Sequence, residues 1–158
     1  VKSINNCLEK LETDEFLAQL SGRIFLSYAR EDVKKVESLY NNLRQAGFAP
    51  WMDTQDILPG ELWEESINNA IRNSEFFIAC ISRSSLTKRG MLQKELKLAI
   101  DIWKQMLDKD IYLIPVRLEP CECPESLAKF QWVNIYEDDG WQRLISALRK
   151  GLMLRKVC

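Results

Sequence analysis

Glu75-Phe76-Phe77-Ile78-Ala79-Cys80-Ile81-Ser82 carries an unbroken apolar run from Phe76 to Ile81. A strand with one wet face alternates apolar and polar residues. A short continuous run between polar ends instead predicts a parallel strand buried on both faces. Such a strand needs helices above and below it, and the flanking sequence supplies them.

On the N-terminal side, Trp63, Ile67, Ala70 and Ile71 mark a helix that leads into this strand. Before it lies the loop Asp53 to Gly60, closed by Pro59-Gly60, and before that a short strand, Phe48 to Met52. Pro50 has no N–H to give to a ladder, so this strand belongs at a sheet edge. Val33, Val36, Leu39, Tyr40, Leu43 and Ala46 recur at helical spacing and stop at Gly47, which follows the apolar strand Arg23 to Tyr28. Ile4, Leu8, Leu11, Phe16, Leu17 and Leu20 predict a further amphipathic helix or linker over residues 1–21.

On the C-terminal side, the polar loop Arg83 to Gly90 precedes the longest helix, striped by Leu92, Leu96, Ala99, Ile100, Trp103, Met106 and Leu107. Strands follow at Ile111 to Leu118 and Trp132 to Tyr136, with a Pro- and Cys-containing loop between them. Trp141, Leu144, Ile145, Leu148 and Leu152 mark a last helix. Five strands alternating with helices predict an α/β, doubly wound parallel sheet covered on both faces. The expected division is 1–21 as helix or linker, 22–153 as one domain and 154–158 as a tail.

The 158 residues suffice for one core and not two. With 22 basic against 23 acidic side chains, the net charge of −1 gives no general pull toward nucleic acid or an anionic membrane. There is no histidine. That excludes Ser-His-Asp and Cys-His nucleophiles and His-ligated zinc, and leaves Asp, Glu, Lys, Tyr or Cys for proton transfer. Five cysteines at irregular spacing read as free thiols of a reduced, cytoplasmic protein. Cys121-Glu122-Cys123 is too small a donor set to predict a metal, and none is expected. No apolar stretch is long enough to span a membrane. The first residue is Val rather than Met, which reads as a fragment with further domains elsewhere.

In a doubly wound sheet, ligands sit beyond the carboxyl ends of the strands. The loops there are Ser27 to Asp32, Asp53 to Gly60 and Ser82 to Gly90. None is a G-x-G-x-x-G turn or a P-loop, which disfavours nicotinamide redox enzymes and P-loop NTPases. Glu95 breaks the pattern of its own helix, lying about 80° from the centre of the apolar stripe. The helix N-terminus favours its anion, while partial burial opposes it. A flanking Glu paired with Lys94 or Arg89 is the plainer reading of those residues alone.

Ile24-Phe25-Leu26-Ser27-Tyr28-Ala29-Arg30-Glu31-Asp32 resembles the opening box of Toll/interleukin-1 receptor (TIR) domains. Gly47-Phe48 and Asp53 through Ile57, Pro59, Gly60 and Trp63 are similar to the second strand and "BB loop" of the bacterial branch. Ser82, followed by Ser84-Ser85-Leu86, resembles the exit of the third strand, and Met91-Leu92-Gln93-Lys94-Glu95 stands where the family usually carries Trp-Cys-x-x-Glu. The motifs fall in register from about Gly22 to Leu152.

The resemblance implies a flavodoxin-like sheet of order 2-1-3-4-5. It also implies NAD⁺ as a substrate, with no cofactor, and Glu95 as the catalytic residue that breaks the nicotinamide–ribose bond in immune or anti-phage signalling. Ser27, Tyr28, Arg30, Asp53, Ile57, Trp63, Ser82 and Met91 would line the substrate pocket. Ile57, Leu58, Pro59 and Gly60 would meet a second copy or another TIR domain. Met91 and Leu92 depart from the family's aromatic and Cys. A non-catalytic TIR–TIR interaction module remains the alternative, with a response-regulator-like domain ranked lower because Ser27-Tyr28 displaces the acidic pair it needs.

Overall fold

The computed structural model describes residues 22–87, 91–107 and 110–156, with residues 91, 92 and 156 described by backbone alone. The helix expected over residues 1–21 lies outside them. β1 (Arg23–Ser27), β2 (Ala49–Trp51), β3 (Phe76–Ile81), β4 (Leu113–Arg117) and β5 (Val133–Asn134) form one parallel sheet of order β2-β1-β3-β4-β5. The helices are α1 (Val33–Gln45), α2 (Asp53–Asp56), α3 (Trp63–Asn73), α4 (Arg83–Thr87), α5 (Met91–Lys104) and α6 (Gly140–Lys156).

The apolar run of β3 divides by side-chain alternation. Phe76, Ile78 and Cys80 join Ile24, Leu26, Ile114 and Val116 under α1 and α6. Phe77, Ala79 and Ile81 join Phe25 and Leu113 under Ile67 and Ile71 of α3 and Ala99 of α5. Both faces of the sheet are therefore core, as the continuous run requires. No helix among the described residues is long and apolar enough to cross a membrane.

Two prolines fit the ladder because of where their missing N–H would point. The Ala49 N–H bonds inward to the Gly22 carbonyl, so Pro50, one residue on, points away from β1 at the edge. In β4, Tyr112 and Leu118 bond toward β3, so Pro115 faces the β5 side, where pairing begins only at Val116. No ladder bond is lost at either position.

α1 closes as its sequence predicts. Phe48 N–H reaches Leu43 O and Gly47 N–H reaches Arg44 O, with Gly47 at φ +93°. This is a Schellman end, for which glycine is the favoured residue.

Four boundaries differ from expectation. The loop after β2 opens with α2, where Asp56 reaches back to accept the Met52 N–H at 2.9 Å. The loop after β3 opens with α4, because Ser82 and Ser85 exchange backbone-to-hydroxyl bonds at 2.8 and 3.0 Å as a capping box. α5 stops at Lys104 in a tighter turn (Gln105 N–H to Ile102 O, Met106 N–H to Trp103 O), which leaves Leu107 exposed rather than in the stripe. α6 runs on to Lys156, so residues 154–156 are helix and not tail.

Candidate functional site

β1 ends at the middle of the sheet, and its last residue meets α5. Ser27 shares the side-chain parity of Phe25 and so faces α5. Its Oγ donates to Glu95 Oε2 at 2.6 Å. Burial pushes the Glu95 carboxyl up to about 7; the Ser27 hydrogen bond pulls against this and the nearby Asp53 charge adds to it. The contest between helix end and desolvation is thus decided by desolvation. A carboxyl poised there exchanges its proton at neutral pH without a histidine.

One residue further on, the Tyr28 hydroxyl donates to Asp53 Oδ1, at the start of α2. Burial and this bond to a carboxylate push the Tyr28 phenol well above its usual range, so it stays a neutral donor. The contact ties the exit of β1 to the exit of β2. Phe25, Leu26, Tyr28, Trp51, Asp53 and Glu95 enclose a cavity of about 20 Å³, room for a single water. One wall is built from the sheet's core: Trp51 stacks on Phe25 (5.2 Å between centroids) and Phe25 on Phe77 (5.3 Å).

The structure therefore brings Ser27, Tyr28, Asp53 and Glu95 together. The other sequence candidates stand elsewhere. Ser82 is fully buried and donates to the carboxylate of Asp32, clamping the start of α1 to the end of β3 instead of facing the Glu95 cavity. Trp63 is 56% exposed at the first turn of α3, so it underlies no loop wall. Ile57 is half-buried against the α3–α5 core rather than exposed, while its neighbour Leu58 is 62% exposed. Leu58, Pro59 and Gly60 form a solvent-facing turn, closed by Glu61 N–H to Leu58 O, in which Gly60 takes φ +91° as a type II turn requires. Arg30 is exposed in the 3₁₀ turn Arg30–Asp32. Met91 belongs to α5, and its side chain lies outside the described set.

Trp51 and Asp32 were missed. Trp51 lines the cavity from the end of β2, and its signal in the sequence was its place at the exit of that strand, just before the loop that opens with Asp53. Asp32 closes the Ser27-Tyr28-x-Arg30-x-Asp32 box, and only the fold reveals that it holds Ser82.

The sequence profile of the TIR domain matches residues 24–148. The chain belongs to the TIR family. Among solved structures, the TIR domain of the Toll-related receptor TRR-2 from Hydra magnipapillata superposes with a TM-score of 0.66 at 25% identity, over 80% of this chain and 97% of that one. Among curated TIR relatives, the probable 2′ cyclic ADP-D-ribose synthase BdTIR of Brachypodium distachyon is 29% identical over 75% of this chain and 59% of its own length. The NAD(+) hydrolase PdTIR of Paracoccus denitrificans is 38% identical over 46% of this chain and 24% of its own. The chain spans 18% to 59% of the length of the curated relatives it matches.

Proposed function

We propose that this TIR domain cleaves NAD⁺ at the nicotinamide–ribose bond and that Glu95 is the catalytic carboxylate. The observation that carries the reading is the pair Ser27–Glu95: a desolvated carboxyl, fixed by a 2.6 Å bond, at the strand-exit end where this fold class binds ligands. Relatives named as an NAD(+) hydrolase and a probable cyclic ADP-ribose synthase support the substrate.

The chemistry suits a chain without histidine. The C1′–N bond breaks with its electron pair going to the pyridinium nitrogen, so nicotinamide leaves neutral and needs no general acid. The ribose left behind is oxocarbenium-like, and the Glu95 anion stabilises it across a site shielded from water. Capture by water forms the C1′–O bond, releases one proton and gives ADP-ribose; capture by a hydroxyl of the same molecule gives a cyclic form. In this reading Ser27 and Tyr28 meet the ribose hydroxyls once Tyr28 leaves Asp53.

A 20 Å³ cavity does not admit a nicotinamide riboside. The Tyr28–Asp53 contact must therefore part, and we place the trigger in self-association through the exposed turn at Leu58, Pro59 and Gly60 in an immune or anti-phage assembly. The same closed cavity favours the second reading, a TIR–TIR interaction module without turnover. Incubating the protein with NAD⁺ at high protein concentration, with chromatography of the products, separates the two. Nicotinamide release that disappears in Glu95→Gln supports the enzyme. No release at any concentration, with self-association retained, leaves the module.

A further inference from the structure

A second, larger cavity lies across α5 from Glu95. Its volume is about 560 Å³, within the range of small-ligand sites of roughly 300–1,000 Å³. At 100° per residue, Gln93, Ile100 and Lys104 stand about 140–180° around α5 from Glu95, so the helix presents one flank to each cavity. Ser27 lines this groove and also bonds to Glu95.

The walls divide sharply by chemistry. Leu86, Leu96 and Ile100 offer apolar surface over the carboxyl end of β3, with the buried Leu127 behind them. Lys97, Asp101 and Lys104 line the same groove from a single face of α5, and all three are exposed. Among the described residues none of the three is in an ion pair; the pairs present are Arg23–Glu75, Lys35–Glu119 and Arg83–Glu119. The two ammonium groups rise from positions about 10 Å apart along the axis, within the combined reach of two lysine stems. Ser126 adds a hydroxyl. Ala79 and Ile81 of β3 floor the groove, while the Cys80 thiol points to the opposite face of the sheet.

We infer that this groove is a second ligand site, separate from the Glu95 cavity, that takes a nucleoside diphosphate. The planar base packs on Leu86, Leu96 and Ile100; the diphosphate meets Lys97 and Lys104; Asp101 accepts hydrogen bonds from the ribose hydroxyls. An anion alone would leave the apolar walls uncovered. A neutral nucleoside would leave both lysines unmatched.

The test is isothermal titration calorimetry of the full chain with ADP, using pyrophosphate and adenosine as the two halves. ADP is expected to bind one to one and at least tenfold more tightly than either half. Lys104→Glu should weaken ADP at least tenfold, and Ile100→Trp should block the groove. Because position 104 is exposed, Lys104→Glu keeps the test valid should Ile100→Trp unfold. Glu95→Gln should leave ADP affinity unchanged, and since no turnover is measured, a failure of the NAD⁺-cleaving reading does not affect the result. The site is overturned by undetectable ADP binding at millimolar concentration or by pyrophosphate binding as tightly as ADP. It is equally overturned by affinity indifferent to Lys104→Glu, or by affinity lost in Glu95→Gln, which would put ADP in the other cavity.

Discussion

The two flanks of α5 solve opposite problems with similar residues. On one, Glu95, Asp53 and Tyr28 are tied to partners and the space among them holds about one water. On the other, Lys97, Asp101 and Lys104 have no ionic partner among the described residues, and the space is large. Charge crowded into little volume is held in place and has its proton affinity changed. Charge spread around a wide apolar groove is free to meet a ligand. The narrow side has the marks of reaction, the wide side those of recognition.

The strongest way to break that contrast is Glu95→Gln. It keeps shape and hydrogen bonding but removes the anion, so NAD⁺ cleavage should fall on the order of 10²-fold or more, read as nicotinamide release per hour. A variant with wild-type turnover would strip the narrow side of its role.

Next in size is Leu58→Asp. An unpaired carboxylate buried at an interface costs several kcal/mol, enough for about a tenfold or greater loss of self-association by analytical ultracentrifugation. Turnover should fall with it, while specific activity of the wild type rises with protein concentration. Activity that stays flat across a wide concentration range, and is untouched by Leu58→Asp, would place the whole pocket in one chain.

Stability and activity should respond to pH with opposite signs. The Glu95 carboxyl titrates at about 7 in the fold against an ordinary 4.5, so between those values the folded chain holds a proton that the unfolded chain has lost. Its contribution to stability is fully present below about pH 4.5 and gone above about pH 7. Comparing urea unfolding at pH 5 and pH 8, Glu95→Gln should gain on the wild type at the higher pH by on the order of 2 kcal/mol. Cleavage, which uses the anion, should instead rise through neutral pH. Parallel pH curves for the two proteins would contradict the buried ionisation.

The smallest effect is expected of Ser27→Ala. Losing the hydroxyl removes a bond that favours the Glu95 anion, so the midpoint of the cleavage profile should move to higher pH. A fold of rate lost at pH 7 should be partly regained at pH 8.5. An unmoved midpoint would make Ser27 a packing residue.

The architecture was legible because the hydrophobic period changes cleanly along the chain. The β3 run could serve only a sheet covered twice, Gly47 marks the end of α1, and Pro50 marks an edge. Short helices were not legible. α2 and α4 are too brief for a periodic stripe and exist through side-chain caps, Asp56 on Met52 and Ser85 with Ser82.

Within the site, Glu95 stood out as an acid beside an apolar stripe, and the TIR-like box indicated Ser27 and Tyr28. Burial of Ser82 was invisible because its partner, Asp32, is fifty residues away in sequence and adjacent only through the β1–β3 neighbourhood. The wide groove left no motif at all. Its walls come from β3, α4, α5 and the loop after β4, and no local pattern announces such a convergence.

A chain without histidine that still changes charge at neutral pH has an unusual thermal property. Imidazole ionises with substantial heat, so a histidine switch drifts in pH as temperature changes. A carboxyl ionises with almost none. The midpoint set by Glu95 should therefore drift less between cold and warm conditions than an imidazole would, giving this domain a proton response that travels with its host's temperature largely unaltered.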